Sequence, residues 1–250
     1  MEQGSWLRRY AIIWVGQKLS WIGSKAGGFA LVWWLTRETG SAQVLATATM
    51  GLILPTVLLG PIAGAYVDRW NRRLTIIISD SFIALMSLLL AYLFWSGQME
   101  IWHVYLVIVA RAVGNAFHEP AMGASTAMLV PKEHLPRIAG LNQASKGAMA
   151  VAGPVLGALL ISILPVHGVM LIDVGTATFA IIPLFFLTIP QPADRSAREM
   201  KLVASLRVGF SFVVKQRGLL ALLGISSLAN FLLNPIFVLL PLLVTEHFQG

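Results

Sequence analysis

Apolar positions along this chain run in long blocks rather than alternating with polar ones at period two. The blocks fall at residues 10–34, 44–67, 74–95, 102–122, 144–164, 169–188 and 219–245. Each is close to the roughly 20 residues a helix needs to cross about 30 Å of hydrocarbon at 1.5 Å per residue. Without period-two alternation a membrane β-barrel is not supported, whereas a helix satisfies its own backbone groups in lipid. The pattern predicts an all-α membrane protein with seven spans. Arg8 and Arg9 precede the first block in the manner of a signal peptide, but that block is too long to be one and further blocks follow it.

Composition sharpens this reading. Of the 250 residues 57% are hydrophobic and 12% charged, about half the charged share of an ordinary soluble domain, and mean hydropathy is +0.76. The net charge of +7 does not indicate nucleic acid, because the basic residues recur between apolar blocks instead of gathering on one soluble face. There is no cysteine, which removes disulfide frameworks and thiolate metal sites.

Basic residues also sort by side. Arg8 and Arg9 precede span one, Arg69, Arg72 and Arg73 follow span two, and Lys132 and Arg137 follow span four. Arg195, Arg198, Lys201, Arg207, Lys215 and Arg217 follow span six, while the alternate connections hold only Arg37. The positive-inside rule then places the N-terminus in the cytoplasm of a cell (inner) membrane protein. Residues 1–189 form a six-helix bundle, residues 190–218 a cytoplasmic linker, and residues 219–250 a seventh helix that starts a second bundle. Within the linker Leu202, Val203, Leu206, Phe210 and Val213 are spaced as on an amphipathic helix lying on the membrane face. An internal repeat is visible as well: Gly60-Pro61-Ile62-Ala63-Gly64 in span two matches Gly153-Pro154-Val155-Leu156-Gly157 in span five, the middle members of two successive span triplets, as in inverted-repeat transporters.

The turn after span two reads Gly64-Ala65-Tyr66-Val67-Asp68-Arg69-Trp70-Asn71-Arg72-Arg73-Leu74. A basic loop alone explains Arg69, Arg72 and Arg73, but not Gly64 and Asp68 at this spacing. The turn resembles the signature loop of major facilitator transporters, with Asn71 where a second glycine is usual. Either residue tolerates a left-handed turn, which makes the replacement mild. The resemblance implies a conformational latch of Gly64, Asp68, Arg69, Arg72 and Arg73 between two bundles. Gly153, Pro154 and Gly157 resemble the kinked-helix motif of proton-coupled exporters in that superfamily, with Gly140 fitting an earlier glycine and Met149 and Ala158 departing. Physically, the proline bends the helix and the glycines let a neighbour approach. More widely the chain resembles macrolide-efflux proteins, in Gly16-Gln17, Leu35-Thr36, Arg111 with Gly114, Ala116-Phe117-His118, Leu129-Val130-Pro131 and Glu246-His247-Phe248.

That resemblance implies the N-terminal portion of a twelve-span major facilitator fold. It implies a transporter that exports small lipophilic drugs such as macrolides by proton antiport and alternating access, with a C-terminal bundle expected in the intact protein. A lone half is not expected to export, because one bundle cannot enclose a substrate.

Ionisable groups inside the spans supply the candidate chemistry, since each costs at least about 2.5–3.5 kcal/mol at mid-bilayer unless it is paired or wet. Lys18 and Lys25 are two turns apart on one face of span one. Lys18 is shallow enough to snorkel, about 12 Å deep by helical rise, so both that placement and a cavity placement suit it. Lys25 is too deep to do so. Gln17, Lys25 and Arg111 are the candidate substrate-binding residues, and Asp80 and Asp173 the candidate proton carriers. By helical rise Asp80 lies about 9 Å from the inner edge and Arg111 about 14 Å from the outer one, depths that predict a buried Asp80–Arg111 pair.

Macrolides are often cations, whereas Lys25 and Arg111 suit neutral or anionic molecules, so an anionic metabolite such as a siderophore is the alternative substrate. His103, His118, His134 and His167 lack metal-ligand spacing and are expected at surfaces or interfaces. No cofactor or metal is expected, and no enzyme, since no serine–histidine, paired-aspartate or HExxH arrangement occurs. A seven-helix receptor would need an outside N-terminus, against the charge pattern. A retinal protein would need a lysine in span seven, which has none.

Overall fold

A computed structural model describes residues 3–191 and 211–247. Seven long helices follow in order: α1 Gln3–Thr39, α2 Ala42–Val67, α3 Arg72–Trp95, α4 Ile101–Leu129, α5 Leu135–Ile163, α6 Val166–Phe186 and α7 Arg217–His247, with one 3-10 turn at Lys132–His134. Four of them, α2, α3, α5 and α6, are long and apolar enough to cross a membrane by length and composition. At 37 and 29 residues α1 and α4 are also long enough. Their apolar character is diluted by the amides, hydroxyls and charges discussed below. Most of the expected amphipathic linker helix, residues 192–210, lies outside the described residues.

Short connections force each of α2 to α6 to run antiparallel to the helix before it. Gly40 (φ 55°) ends α1 in a left-handed conformation, its N–H donating to the Thr36 carbonyl, and the Ser41 side chain caps α2 by accepting from Val44 N–H. Gly97 (φ 69°) ends α3, with Gly97 N–H donating to the Phe94 carbonyl and Gln98 N–H to that of Leu93, the bonding pattern of a Schellman stop. Asn71 differs from expectation. Its backbone is extended (φ −70°, ψ 109°), not left-handed, and its side chain caps α3 by accepting from Leu74 N–H at 3.2 Å. Asparagine is suited to this turn because it caps a helix, a task glycine performs without a side-chain acceptor.

The first six helices form one bundle. Its principal contacts pair α1 with α6 and α5, α4 with α3 and α2, and α3 with α6. Exchanging α1–α3 with α4–α6 maps α1–α6 onto α4–α3, α1–α5 onto α4–α2 and α3–α6 onto itself, the symmetry expected of two related triplets. The two copies of the glycine–proline pattern are nevertheless used differently. A side chain at Gly153 or Gly157 would meet α1, the new Cβ lying 3.1 Å from Lys25 Cβ or 2.7 Å from Phe29 Cβ, whereas nothing lies within 4 Å of Gly60 or Gly64. α7 touches α2 and α1 sparsely, and between residues 217 and 233 its side chains are nearly all exposed.

Small residues bring α1 onto α6. A Cβ at Gly16 would lie 3.2 Å from Ala180 Cα, one at Gly23 3.1 Å from Asp173 Cα, and one at Gly27 3.5 Å from the Met170 methyl. Descending numbers on α6 against ascending ones on α1 confirm the antiparallel register. Apolar side chains gather in two clusters. One, at the end that carries Arg69, Arg72 and Arg73, holds Tyr10, Ile13, Val67, Ile76, Leu129 and Leu184. The other, at the opposite end, holds Leu31, Leu35, Leu45, Leu90, Val104 and Met170.

Gly23→Ala therefore forces backbone apart and should destabilise the bundle by about 1–3 kcal/mol. Gly60→Ala, which enters open space, should be neutral or stabilise by up to about 1 kcal/mol. Denaturant unfolding of the purified chain in micelles, followed by tryptophan fluorescence, checks both; equal stability of the two variants would contradict this packing.

Candidate functional site

Between the two apolar clusters lies a polar belt in two layers. In the layer nearer the basic end, Gln17 Nε2 donates to Asp80 Oδ2 at 2.7 Å, and His118 Nε2 lies 3.2 Å from Asp80 Oδ1 and 3.0 Å from Gln17 Oε1. In the other layer, Asp173 accepts from Ser24 Oγ at 2.8 Å and from Ser87 Oγ at 2.8 Å, and pairs with Arg111 Nη1 at 2.8 Å. Arg111 also donates to Ser87 Oγ. The Asp173 side chain is 1% exposed and that of Arg111 9%.

The layers are related by helix geometry. Gln17 and Ser24, Asp80 and Ser87, and Arg111 and His118 are each seven residues apart, so each helix presents two polar groups on one face about 10 Å apart along the axis. On α6 the position seven beyond Asp173 is Ala180, where Gly16 of α1 packs closely instead. Close approach also serves α3 and α4, since a Cβ at Gly114 would lie 2.8 Å from Ile83 Cγ1. This approach brings Arg111 within reach of Ser87 and Asp173.

Two expectations are corrected here. Arg111 pairs with Asp173, not with Asp80. Depth alone leaves the partner open, and α3 and α6 both border α4's side of the core, with Asp80 one heptad nearer the basic end than the guanidinium. His118 is not interfacial: its side chain is 17% exposed and joins Asp80 and Gln17 inside the bundle. The signal that locates His118, Ser24 and Ser87 is the heptad spacing of polar residues on three apolar helices, which becomes legible only when the helices are laid side by side.

Lys18 and Lys25 do share one face of α1. Their ammonium groups lie 5.1 and 5.5 Å from the ring of Trp21, and Lys18 is also 5.6 Å from that of Trp14. The result is a strip of alternating indole and ammonium, Trp14, Lys18, Trp21 and Lys25. Among the described residues neither lysine forms an ion pair. Lipid is the one environment that such a face does not tolerate, so the strip borders water or another protein surface. Of the substrate-binding candidates, Lys25 is thus exposed on this strip, while Gln17 and Arg111 are buried in the belt.

The turn between α2 and α3 divides its labour. Arg72 Nη1 donates to the Ala124 carbonyl of α4 at 3.2 Å, and Arg73 Nη2 to the Phe185 carbonyl at the end of α6 at 2.6 Å. Both guanidinium groups therefore tie helices of this bundle to one another. Asp68, 60% exposed, meets Arg72 only at 3.9 Å. Arg69 and Trp70 stand at the mouth of an apolar groove of about 610 Å³ between α3 and α4, lined further by Leu74, Ile78, Phe82 and Phe117. It is separate from the polar belt.

A helical bundle that buries paired charges between two apolar layers belongs to the architecture of polytopic membrane carriers, not to that of a soluble domain. Residues 13–249 match the family model of the Major Facilitator Superfamily, and the chain belongs to that superfamily. It is a multi-pass membrane protein of a transporter family. The chain is 33% identical over 250 residues to macrolide efflux protein A of Streptococcus pyogenes, covering all of this chain and 62% of that protein. Against macrolide efflux protein A of Enterococcus faecalis the identity is 33% over 212 residues, 84% of this chain and 65% of the relative. The multidrug efflux pump Tap of Mycobacterium tuberculosis is 27% identical over 225 residues, 86% and 53% respectively. The chain thus spans less than two thirds of the length of these relatives. No solved structure matches it.

Removing Asp173 leaves a buried guanidinium without its carboxylate, so Asp173→Asn should cost about 3–5 kcal/mol of stability. The double variant Arg111→Met/Asp173→Leu, which removes both charges, should recover most of that loss. Unfolding of wild type, Arg111→Met, Asp173→Leu and the double variant in micelles reads the coupling; additive losses would rule out the pair.

Proposed function

We propose that this bundle is one half of a secondary active exporter of small lipophilic drugs, macrolides among them, working by alternating access in exchange for protons. The observation that carries this reading is the buried two-layer belt, in a chain whose relatives include macrolide and multidrug efflux proteins. A structural scaffold has no need of ionisable groups at mid-bundle, whereas a carrier uses them to couple movement to charge. The N-terminus faces the cytoplasm of the cell membrane by the distribution of arginine and lysine, and the chemistry involves no covalent step.

In this reading the strip from Trp14 to Lys25 borders the translocation cavity, with Lys25 touching substrate and the indole of Trp21 supplying an apolar face. Gln17 and Arg111 act one layer behind, holding α1 and α4 in register with α3 and α6. Of the two acidic groups in the belt, Asp80 is the one available for proton coupling, while Asp173 is held by Arg111. Gly153, Pro154 and Gly157 set the close approach of α5 to α1 beneath the strip. Half-buried Gly64 and exposed Asp68 supply the surface on which a second bundle rests, while Arg69, Arg72 and Arg73 anchor the turn that presents it.

A second reading, export of an anionic metabolite such as a siderophore, is favoured by the unpaired ammonium groups on the strip. Both carboxylates in the belt are already engaged, and although exposed Glu119 acts on Lys18, Lys25 has no ion-pair partner among the described residues.

The complete reading frame expressed in a macrolide-sensitive bacterium should lower macrolide accumulation several-fold, with recovery on adding a proton uncoupler. Accumulation equal to that of cells carrying the empty vector would overturn the drug-export reading. Lys25→Ala separates the substrates: it should weaken export of anions several-fold and spare neutral drugs if the strip selects by charge. An unchanged substrate profile would remove Lys25 from the cavity.

A further inference from the structure

We infer that His118, oriented by Asp80 and Gln17, is a proton-binding site of this bundle, and that Asp173 is not one. The inference deepens the proton-coupled reading above and rests on it only for its role in transport.

The geometry of the three side chains is closed. Gln17 uses its amide N–H on Asp80, so its carbonyl oxygen faces His118, and the Asp80 oxygen not bonded to Gln17 faces the same ring nitrogen. Nε2 therefore has two acceptors before it, which fixes the ring as the tautomer with its hydrogen on Nε2. Nδ1 has no hydrogen-bond partner among the described side chains. A proton can accordingly enter and leave at Nδ1 without breaking any bond of the cluster. Binding converts a neutral ring beside a carboxylate into an imidazolium–carboxylate pair, and the local charge changes from −1 to 0. In a site of low polarity the uncharged sum is the favoured one, and loss of the proton leaves a buried carboxylate held by polar donors alone.

The other layer has the opposite design. Asp173 is bonded to Ser24, Ser87 and Arg111, and a guanidinium keeps its proton under all ordinary conditions. The charge on Asp173 is therefore balanced permanently, and a proton there would displace a partner. Charged groups on the elements around His118 do not take over its role. α1 contributes the neutral Gln17 beside half-buried Lys18, whose ammonium lies over the rings of Trp14 and Trp21 on the strip; α2 has no charged residue within Ala42–Val67; α3 contributes Asp80 itself, with Arg72 and Arg73 two turns away at the basic end; and on α6 the nearest acid is Asp173 one layer off. On α4, Arg111 is committed to Asp173 and Glu119 is exposed; on α5, Lys146 is exposed. Because His118, Asp80 and Gln17 belong to α4, α3 and α1, loading the site clamps three helices that must shift for the bundle to rock.

The test is histidine ¹⁵N NMR of the chain in lipid nanodiscs across pH 5–9, the His118 signal being the one lost in His118→Gln. The pH course of the His118 signal in Asp80→Asn should depart from that of wild type, whereas those of Asp80→Glu and Glu119→Gln should each stay close to it. Coincident courses in wild type and Asp80→Asn overturn the site, and Asp80→Glu, which keeps the carboxylate, guards against a folding artefact. In the complete transporter, His118→Gln should abolish the pH dependence of export, whereas Glu119→Gln, outside the cluster, should keep it. Unchanged pH dependence overturns the coupling role. A wild-type protein that exports no drug, yet shows the NMR shift, refutes the functional reading and leaves the proton site standing.

Discussion

The structure depends on one interaction, the ion pair of Arg111 with Asp173 at the centre of the bundle. A guanidinium cannot be neutralised and cannot be left in hydrocarbon, so wherever α4 goes, a carboxylate must be delivered to it. α6 delivers that carboxylate, α3 and α1 supply the hydroxyls of Ser87 and Ser24 that complete its hydrogen bonds, and four helices are thereby fixed in level with one another. Apolar packing then closes the bundle above and below. In lipid such packing has little solvophobic force between helices, which gives the polar belt more weight in setting register than the same contacts have in water.

Geometry multiplies this constraint. Once Ser24, Ser87 and Arg111 share one layer, the helical repeat puts Gln17, Asp80 and His118 together two turns away, because each pair is spaced by seven residues. One register thus builds two layers of unlike chemistry, one with a permanent cation and one with a titratable ring. Small residues make this possible. Gly23 admits the Asp173 backbone to α1, and Gly114 admits Ile83 of α3 to α4, so that short side chains such as serine reach their partners. The belt and the glycine contacts are two aspects of the same close approach.

How much of this is legible from residues alone varies from element to element. The six helices of the bundle and the beginning of the seventh follow from block length. Gly40 and Gly97 mark stops, and Gly64 to Arg73 marks a turn with a recognisable pattern. Lys18 and Lys25 are correctly placed on a common face, since both belong to one helix and the 3.6-residue repeat determines their relation. Asp80 and Arg111 are correctly judged to be buried, yet their partners are not. Depth is a coordinate along the membrane normal, and it says nothing about which helices are neighbours. His118 shows the same limit: as one of four histidines without metal-ligand spacing it reads as interfacial, and only the α1–α3–α4 contact turns it inward. Asn71 is legible as a turn residue, but its capping role needs the start of α3.

The sequence by itself therefore determines what a single helix can express: which segments are long and apolar enough to form membrane helices, that the basic turns gather at one end, which polar groups share a face, and membership of a transporter superfamily. Tertiary structure decides what passes between helices. It pairs Arg111 with Asp173 rather than Asp80, draws His118 into the core, gives Gly153 and Gly157 a neighbour that Gly60 and Gly64 lack, and leaves Lys25 exposed beside Trp21. The reason is physical. Hydropathy and helical periodicity are properties of one chain segment and its solvent, whereas the partner of a buried charge is chosen by the lateral arrangement of helices far apart in sequence.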